Sequence, residues 1–135
     1  MTNADIRQRL LEHGIQPTTQ RIDVATVLLA KPQHLSAEQI QEALRATGRR
    51  VSKATVYNTL RLYCEKGLIR EVIVDPTRVF YDSTIEPHHH FFNVDTGELS
   101  DIEPDAVRFL RLAEAPAGTE RAGVEVLIRV RQTRV

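Results

Sequence analysis

The chain lacks tryptophan altogether, holds one cysteine and is only 5% aromatic over its 135 residues. Each shortage closes off a class of protein. A lone thiol, Cys64, excludes an intramolecular disulfide and a structural zinc site built from four cysteines. With few aromatics the core must be aliphatic, and a hydrophobic content of 41% is enough to build one. No apolar run reaches signal-peptide or transmembrane length, so a cytoplasmic chain with no membrane association is expected. Neither a His-Glu-x-x-His sequence nor a nucleophile motif occurs, so no enzyme is expected. The length suits one ordinary domain or two very small ones, whose marginal burial a dimer interface would supplement.

Net charge is missing too, since 18 Lys and Arg match 18 Asp and Glu. The charges are unevenly spread. Met1 to Ser83 carries 12 basic against 9 acidic residues, and Thr84 to Val135 carries 6 against 9. Arg45, Arg49, Arg50, Lys53, Arg61, Lys66 and Arg70 share a stretch whose one acid is Glu65. Such a segment in a neutral chain is the footprint of a phosphate-contacting surface. A solvated helix face is the plainer alternative.

What is present in the first half is helical. Ile6, Leu10 and Leu11 sit at helical spacing and Gly14 ends that helix. Thr18 or Thr19 caps a second helix, which Pro32 stops. Ser36 and Gln39 form a capping box for a third, closed by Gly48. Ser52 opens a fourth, with Val56, Leu60 and Tyr63 inward and Gly67 at its end. Leu68 to Val74 and Val79 to Asp82 then read as a hairpin around Pro76. Helices followed by a hairpin make a winged helix-turn-helix. After the Ser83-to-Pro87 linker, strands are expected at His88 to Val94, Glu98 to Ile102 and Val124 to Arg131. A helix is expected from Pro104 to about Ala115. The fold class is therefore α+β: a winged-helix DNA-binding domain (1–83), a hinge (84–87) and a small α/β dimerisation domain (88–135).

In a helix-turn-helix the second helix of the motif enters the major groove by its N-terminal end. Here that helix is the fourth, offering Ser52, Lys53, Thr55, Tyr57, Asn58 and Arg61 outward. Tyr57 suits a thymine methyl, Asn58 has the donor and acceptor that read adenine, and Arg61 reaches phosphate or guanine. Arg49 and Arg50 precede the helix, and Arg78 in the hairpin reaches the backbone beside it. Arg21 completes the candidate DNA-binding set.

His88-His89-His90 begins an expected strand in which His88 and His90 share one face. Asp82 precedes the linker, Asp101 lies on the adjoining strand and His34 lies in the loop before the third helix. Three imidazoles and two carboxylates make an N/O set suited to Fe²⁺, Mn²⁺ or Zn²⁺. A solvated histidine patch is the alternative.

Several segments together resemble the ferric uptake regulator family over nearly the whole chain. They are Gly14-Ile15-Gln16-Pro17-Thr18 with Arg21, His34-Leu35-Ser36-Ala37-Glu38, Ala54-Thr55-Val56-Tyr57-Asn58-Thr59-Leu60, Gly67-Leu68-Ile69 and His88-His89-His90. The resemblance implies a homodimeric repressor that binds AT-rich palindromic double-stranded DNA when metal occupies a site between its domains. It places the ligands at His34, Asp82, His88, His90 and Asp101, with Fe²⁺ or Mn²⁺ as metal, and makes Tyr57 a base-contacting residue. Asp82 matches the peroxide-sensing relatives, whereas Tyr81 stands where iron-sensing relatives carry Glu. Asn93 and Thr96 stand where the family's first Cys-x-x-Cys pair falls. Pro87, Arg108 and Val124 replace three ligands of a second site, and Gln16 replaces a frequent basic residue. The missing cysteines, the triple His with Phe91-Phe92 and the closing Val126-to-Arg131 run look most like the iron response regulator branch. That likeness makes haem a second candidate cofactor, at His88, His89 and His90, although Cys64 is not followed by Pro. A peroxide-sensing regulator of the same fold, a metal-independent winged-helix protein-interaction module and a metallohydrolase are the competing readings.

Overall fold

The computed structural model describes residues 1–134, and these divide after Ile85 into two compact units, Met1–Ile85 and a second that starts at Glu86. In the first unit, α1 (Asn3–Glu12) starts from Thr2, whose hydroxyl accepts from the Asp5 amide while the Asp5 carboxylate takes the Thr2 amide. This capping box satisfies two amides that a helix start otherwise leaves bare. Thr18 caps α2 (Thr19–Leu28), which turns Ile22, Val24, Ala25 and Leu28 inward. A two-residue β1 (His34–Leu35) leads into α3 (Ala37–Ala46), where Ser36 and Gln39 form the expected box at 2.9 and 3.1 Å. Then come α4 (Lys53–Glu65), β2 (Arg70–Asp75) and β3 (Arg78–Asp82).

Gly67 closes α4 at φ +74°, letting the Leu68 amide reach back to the Tyr63 carbonyl and the Gly67 amide to Cys64. The chain thus leaves the helix in a left-handed turn that a side chain would strain. It enters β2 with Leu68 and Ile69 buried. The three strands pair antiparallel in the order β1-β3-β2. Leu10, Leu28, Ile40, Leu44, Leu60 and Tyr63 are fully buried in one aliphatic cluster. Each such side chain contributes about 1.5–3 kcal/mol by leaving water. This is the winged helix-turn-helix read from the pattern. One detail differs: His34 lies in a strand rather than a loop, because its backbone pairs with β3 opposite Asp82.

The second unit is a three-stranded sheet of β4 (His89–Asn93), β5 (Leu99–Ile102) and β6 (Leu127–Val130). β4 is central, antiparallel to β5 and parallel to β6. Along β4, His90 and Phe92 are buried while their neighbours are half-exposed, the alternation expected of a strand with one covered face. The Asn93 side chain accepts from the Asp95 and Thr96 amides and holds the tight turn into β5.

A parallel pair needs a long crossover, often a helix. The helix expected from Pro104 to Ala115 is not that crossover. Only Pro104–Ala106 turns, as a single 3₁₀ turn, and the chain runs irregularly from there to β6. Of the two side chains expected to face inward, Val107 is only half-buried and Leu110 is fully exposed, so the expected stripe is left uncovered among the described residues. A short helix with its stripe uncovered is marginal in water. Among the described residues no helix is long and apolar enough to cross a membrane.

Candidate metal centre and nucleic-acid interface

Strand register assembles a carboxylate–imidazole pair in the first unit. β1 and β3 put His34 opposite Asp82, and the His34 Nε2 lies 3.2 Å from the Asp82 Oδ2. Asp82 is only 1% exposed. Its other oxygen accepts the Thr84 amide at 2.8 Å, which fixes the carboxylate plane. Gln33 anchors the strand that carries His34. Its side-chain amide donates to the Val27 and Leu28 carbonyls at the end of α2, and its backbone carbonyl accepts from Ser83.

The second unit builds a three-membered set. β4 and β5 place His90 opposite Asp101. The Nε2 atoms of His88 and His90 lie 3.0 and 3.4 Å from the same Asp101 oxygen, and the two rings are 4.3 Å apart. The His88 Nδ1 is 2.8 Å from the Glu86 carbonyl. A carbonyl only accepts, so Nδ1 carries a proton and Nε2 is the nitrogen turned toward Asp101. Two imidazole nitrogens and a carboxylate converging on one point suit a shared cation, with the far ring nitrogen of His88 held by a backbone oxygen as in many metal-binding histidines. His89 faces the other way: its Nδ1 accepts the Val126 amide at 2.9 Å and its ring meets Phe109 edge-on. The structure thus brings His34 to Asp82, and His88 and His90 to Asp101.

The nucleic-acid candidates sit on and around α4. Ser52 caps the helix by accepting the Thr55 amide at 3.1 Å. Val56, Thr59, Leu60 and Tyr63 face the core, so Lys53, Asn58 and Arg61 are exposed and Thr55 and Tyr57 half-buried. Between this face and the start of α2 lies an open cleft of about 630 Å³, lined by Thr18, Thr19, Arg21, Thr55 and Asn58 among others. Arg21 is tied locally, donating to the Gln16 carbonyl at 2.9 Å, and its own carbonyl accepts the buried Tyr63 hydroxyl. Arg49 pairs with Asp23 at 3.6 Å, Arg50 is exposed, and Arg78 lies 3.5 Å from Asp75 at the hairpin tip.

One contact here was not anticipated from the residue pattern. The Tyr57 hydroxyl donates to the Glu38 Oε1 at 2.8 Å. That bond holds the Glu38 carboxyl below its usual range and pushes the Tyr57 phenol up. The Lys53 ammonium stands 6.0 Å from the centre of the Tyr57 ring. Glu38 lies 19 residues before Tyr57, and an exposed acid in the first turn of a helix signals only a favourable macrodipole contact.

Comparison with known proteins identifies the family and the fold. The sequence model of the ferric uptake regulator family matches residues 12–122. The chain is 30% identical over 110 residues to the ferric uptake regulation protein of Synechococcus elongatus, covering 78% of this chain and 75% of that one. It is 28% identical over 106 residues to the peroxide-responsive repressor PerR of Staphylococcus aureus, covering 78% and 72%. The fold is similar to that of the ferric uptake regulator from Pseudomonas aeruginosa solved with manganese. The TM-score is 0.70 at 25% identity, and 95% of this chain and 98% of that one are covered.

Proposed function

The chain belongs to the ferric uptake regulator family, and from that premise we propose that it is a cytoplasmic, homodimeric, metal-responsive repressor. Members of this family are DNA-binding transcription regulators, not enzymes. The N-terminal unit reads an AT-rich palindrome with α4, and the C-terminal unit pairs two copies. Dimerisation then sets the spacing of the two half-sites at about one helical turn, ~34 Å.

One divalent ion takes His34 and Asp82 from the first unit and His88, His90 and Asp101 from the second. The observation that carries this reading is the aim of two imidazole nitrogens at one oxygen of Asp101, together with a buried carboxylate–imidazole pair on β1 and β3. Carboxylates with imidazoles and no thiolate suit Fe²⁺, Mn²⁺ or Zn²⁺, with availability rather than affinity selecting iron or manganese over zinc. The bound charge offsets the mutual repulsion of the carboxylates, so the ligands from the two units hold one arrangement. A tenfold preference of metal for the DNA-ready arrangement amounts to about 1.4 kcal/mol and visibly shifts operator occupancy.

Replacing His88 and His90 by Ala should weaken metal binding at least about tenfold and remove the metal dependence of operator binding. Undiminished affinity in metal titrations would remove both residues from the ligand set. Asp82 and the similarity to PerR support a second reading, peroxide sensing at the same site. Hydrogen peroxide oxidises Fe²⁺ but leaves Mn²⁺ on such ligands untouched. Loss of DNA binding by the iron form alone, after peroxide, selects this reading. Likeness to the iron response regulator branch makes haem the further cofactor to titrate, with His88, His89 and His90 as its candidate ligands.

A further inference from the structure

Tyr57 is half-buried on α4, its ring packed against the edge of the core, and its hydroxyl does not face solvent alone. It is committed to Glu38, a residue of a different helix, at 2.8 Å. A hydroxyl donating to a carboxylate makes one of the stronger hydrogen bonds available at a protein surface. Beside the ring lies a groove of about 190 Å³, bounded by Glu71, Thr77, Val79 and Tyr81 on the hairpin side. A tyrosine has two rotatable torsions, so without its tether the ring has room to swing toward the hairpin. Lys53, one turn earlier, stands near the ring face and its charge also favours the ionised Glu38.

We propose that Glu38 is a positioning residue for base readout: it holds the Tyr57 ring in one orientation and commits the hydroxyl proton, making the pair selective for a thymine methyl. The inference rests on the DNA-binding reading given above. A tyrosine whose hydroxyl is free donates to any base acceptor, such as guanine O6 or N7, as readily as it packs on a methyl. Once the proton is given to Glu38, only the ring and the oxygen lone pairs remain for the base. The carboxylate also repels phosphate, so Glu38 confines this part of the surface to the groove floor and leaves the DNA backbone to Arg49, Arg50 and Lys53.

The test is selection from a random-sequence duplex library, with Mn²⁺, Fe²⁺ under reductant, Zn²⁺ or no added metal. Wild type, Glu38→Ala, Glu38→Gln, Tyr57→Phe and the Glu38→Ala/Tyr57→Phe double variant are compared, and urea unfolding checks each fold. Wild type should enrich a motif with one thymine preferred about tenfold in each half-site, the size of one good groove contact. Glu38→Ala and Tyr57→Phe should each reduce that single preference to threefold or less while the other positions persist. Glu38→Gln, which keeps an acceptor oxygen, should restore it, and the double variant should lose no more than either single one. Tyr57→Phe leaves α3 untouched, so it keeps the question open to refutation if Glu38→Ala is unstable. Folded Glu38→Ala or Tyr57→Phe enriching the wild-type motif unchanged overturns the inference alone. A wild-type protein that enriches nothing under any metal condition overturns the DNA-binding reading with it.

Discussion

Three phenols and no indole make absorbance near 295 nm a direct report on Tyr57, Tyr63 and Tyr81. All three are shifted upward, each for a stated reason. Tyr57 is raised first by its hydrogen bond to Glu38. Tyr63 is raised by burial, with its hydroxyl on the Arg21 carbonyl. Burial likewise pushes Tyr81 up to about 12. Each neutral phenol is therefore favoured in the folded chain. Its contribution to stability is whole below the unfolded value of 10.0 and disappears as pH climbs through the native values. A spectrophotometric titration should show less tyrosinate at pH 10 in the folded protein than in urea, where about half is expected by the unfolded reference value. Equal ionisation in both states would contradict the burial of Tyr63 and Tyr81. The Tyr57→Phe variant should lose one of the three tyrosinate transitions and keep those of Tyr63 and Tyr81. Cys64 follows the same logic: half-buried and raised to about 11, it is a packing residue rather than a reactive thiol at neutral pH.

At the scale of elements, what was legible in the chain was local. The Ser36–Gln39 box, the Ser52 cap and the glycine ends of α3 and α4 depend on residues three to five apart, and each is found in place. What was illegible depended on partners distant in sequence. A two-residue β1 has no periodicity of its own and exists because β3 pairs with it. The stretch after Pro104 has helical spacing, yet Leu110 stays fully exposed and only a 3₁₀ turn forms, so spacing without burial does not make a helix there. The Thr2–Asp5 box was overlooked although its pattern is local. Among the site candidates, ligand chemistry grouped His34 with Asp82, but the register that sets them opposite each other joins residues far apart in the first unit and carries no local signal. Replacing Ser36 by Ala tests the local side. It removes the acceptor of the Gln39 amide and should lower stability by about 1 kcal/mol, seen as an earlier urea midpoint with unchanged slope. A midpoint within error of wild type would mean that the box adds nothing to the fold.

For the whole molecule, a neutral chain that binds DNA must do so by distribution of charge, not by its sum. Counterion release makes each phosphate contact visible as a salt slope of about 0.9 per ion pair. In a homodimer one substitution removes two contacts, so the expected change is doubled. Arg50 is the clean probe, because it is exposed and Arg49 already has Asp23. Arg50→Ala should flatten the plot of log affinity against log salt by about 2, weakening binding to every duplex alike. Asn58→Ala, on the exposed face of α4, should leave that slope unchanged and relax base preference instead. The two variants separate phosphate contact from base reading in one measurement, titration of a selected and a scrambled duplex across salt concentrations. A slope change near 1 for Arg50→Ala would mean that a single copy touches DNA. No change would move the phosphate contact elsewhere on the basic stretch. A slope change for Asn58→Ala would place that amide on the backbone rather than on a base edge, and α4 would then lie across the groove instead of in it.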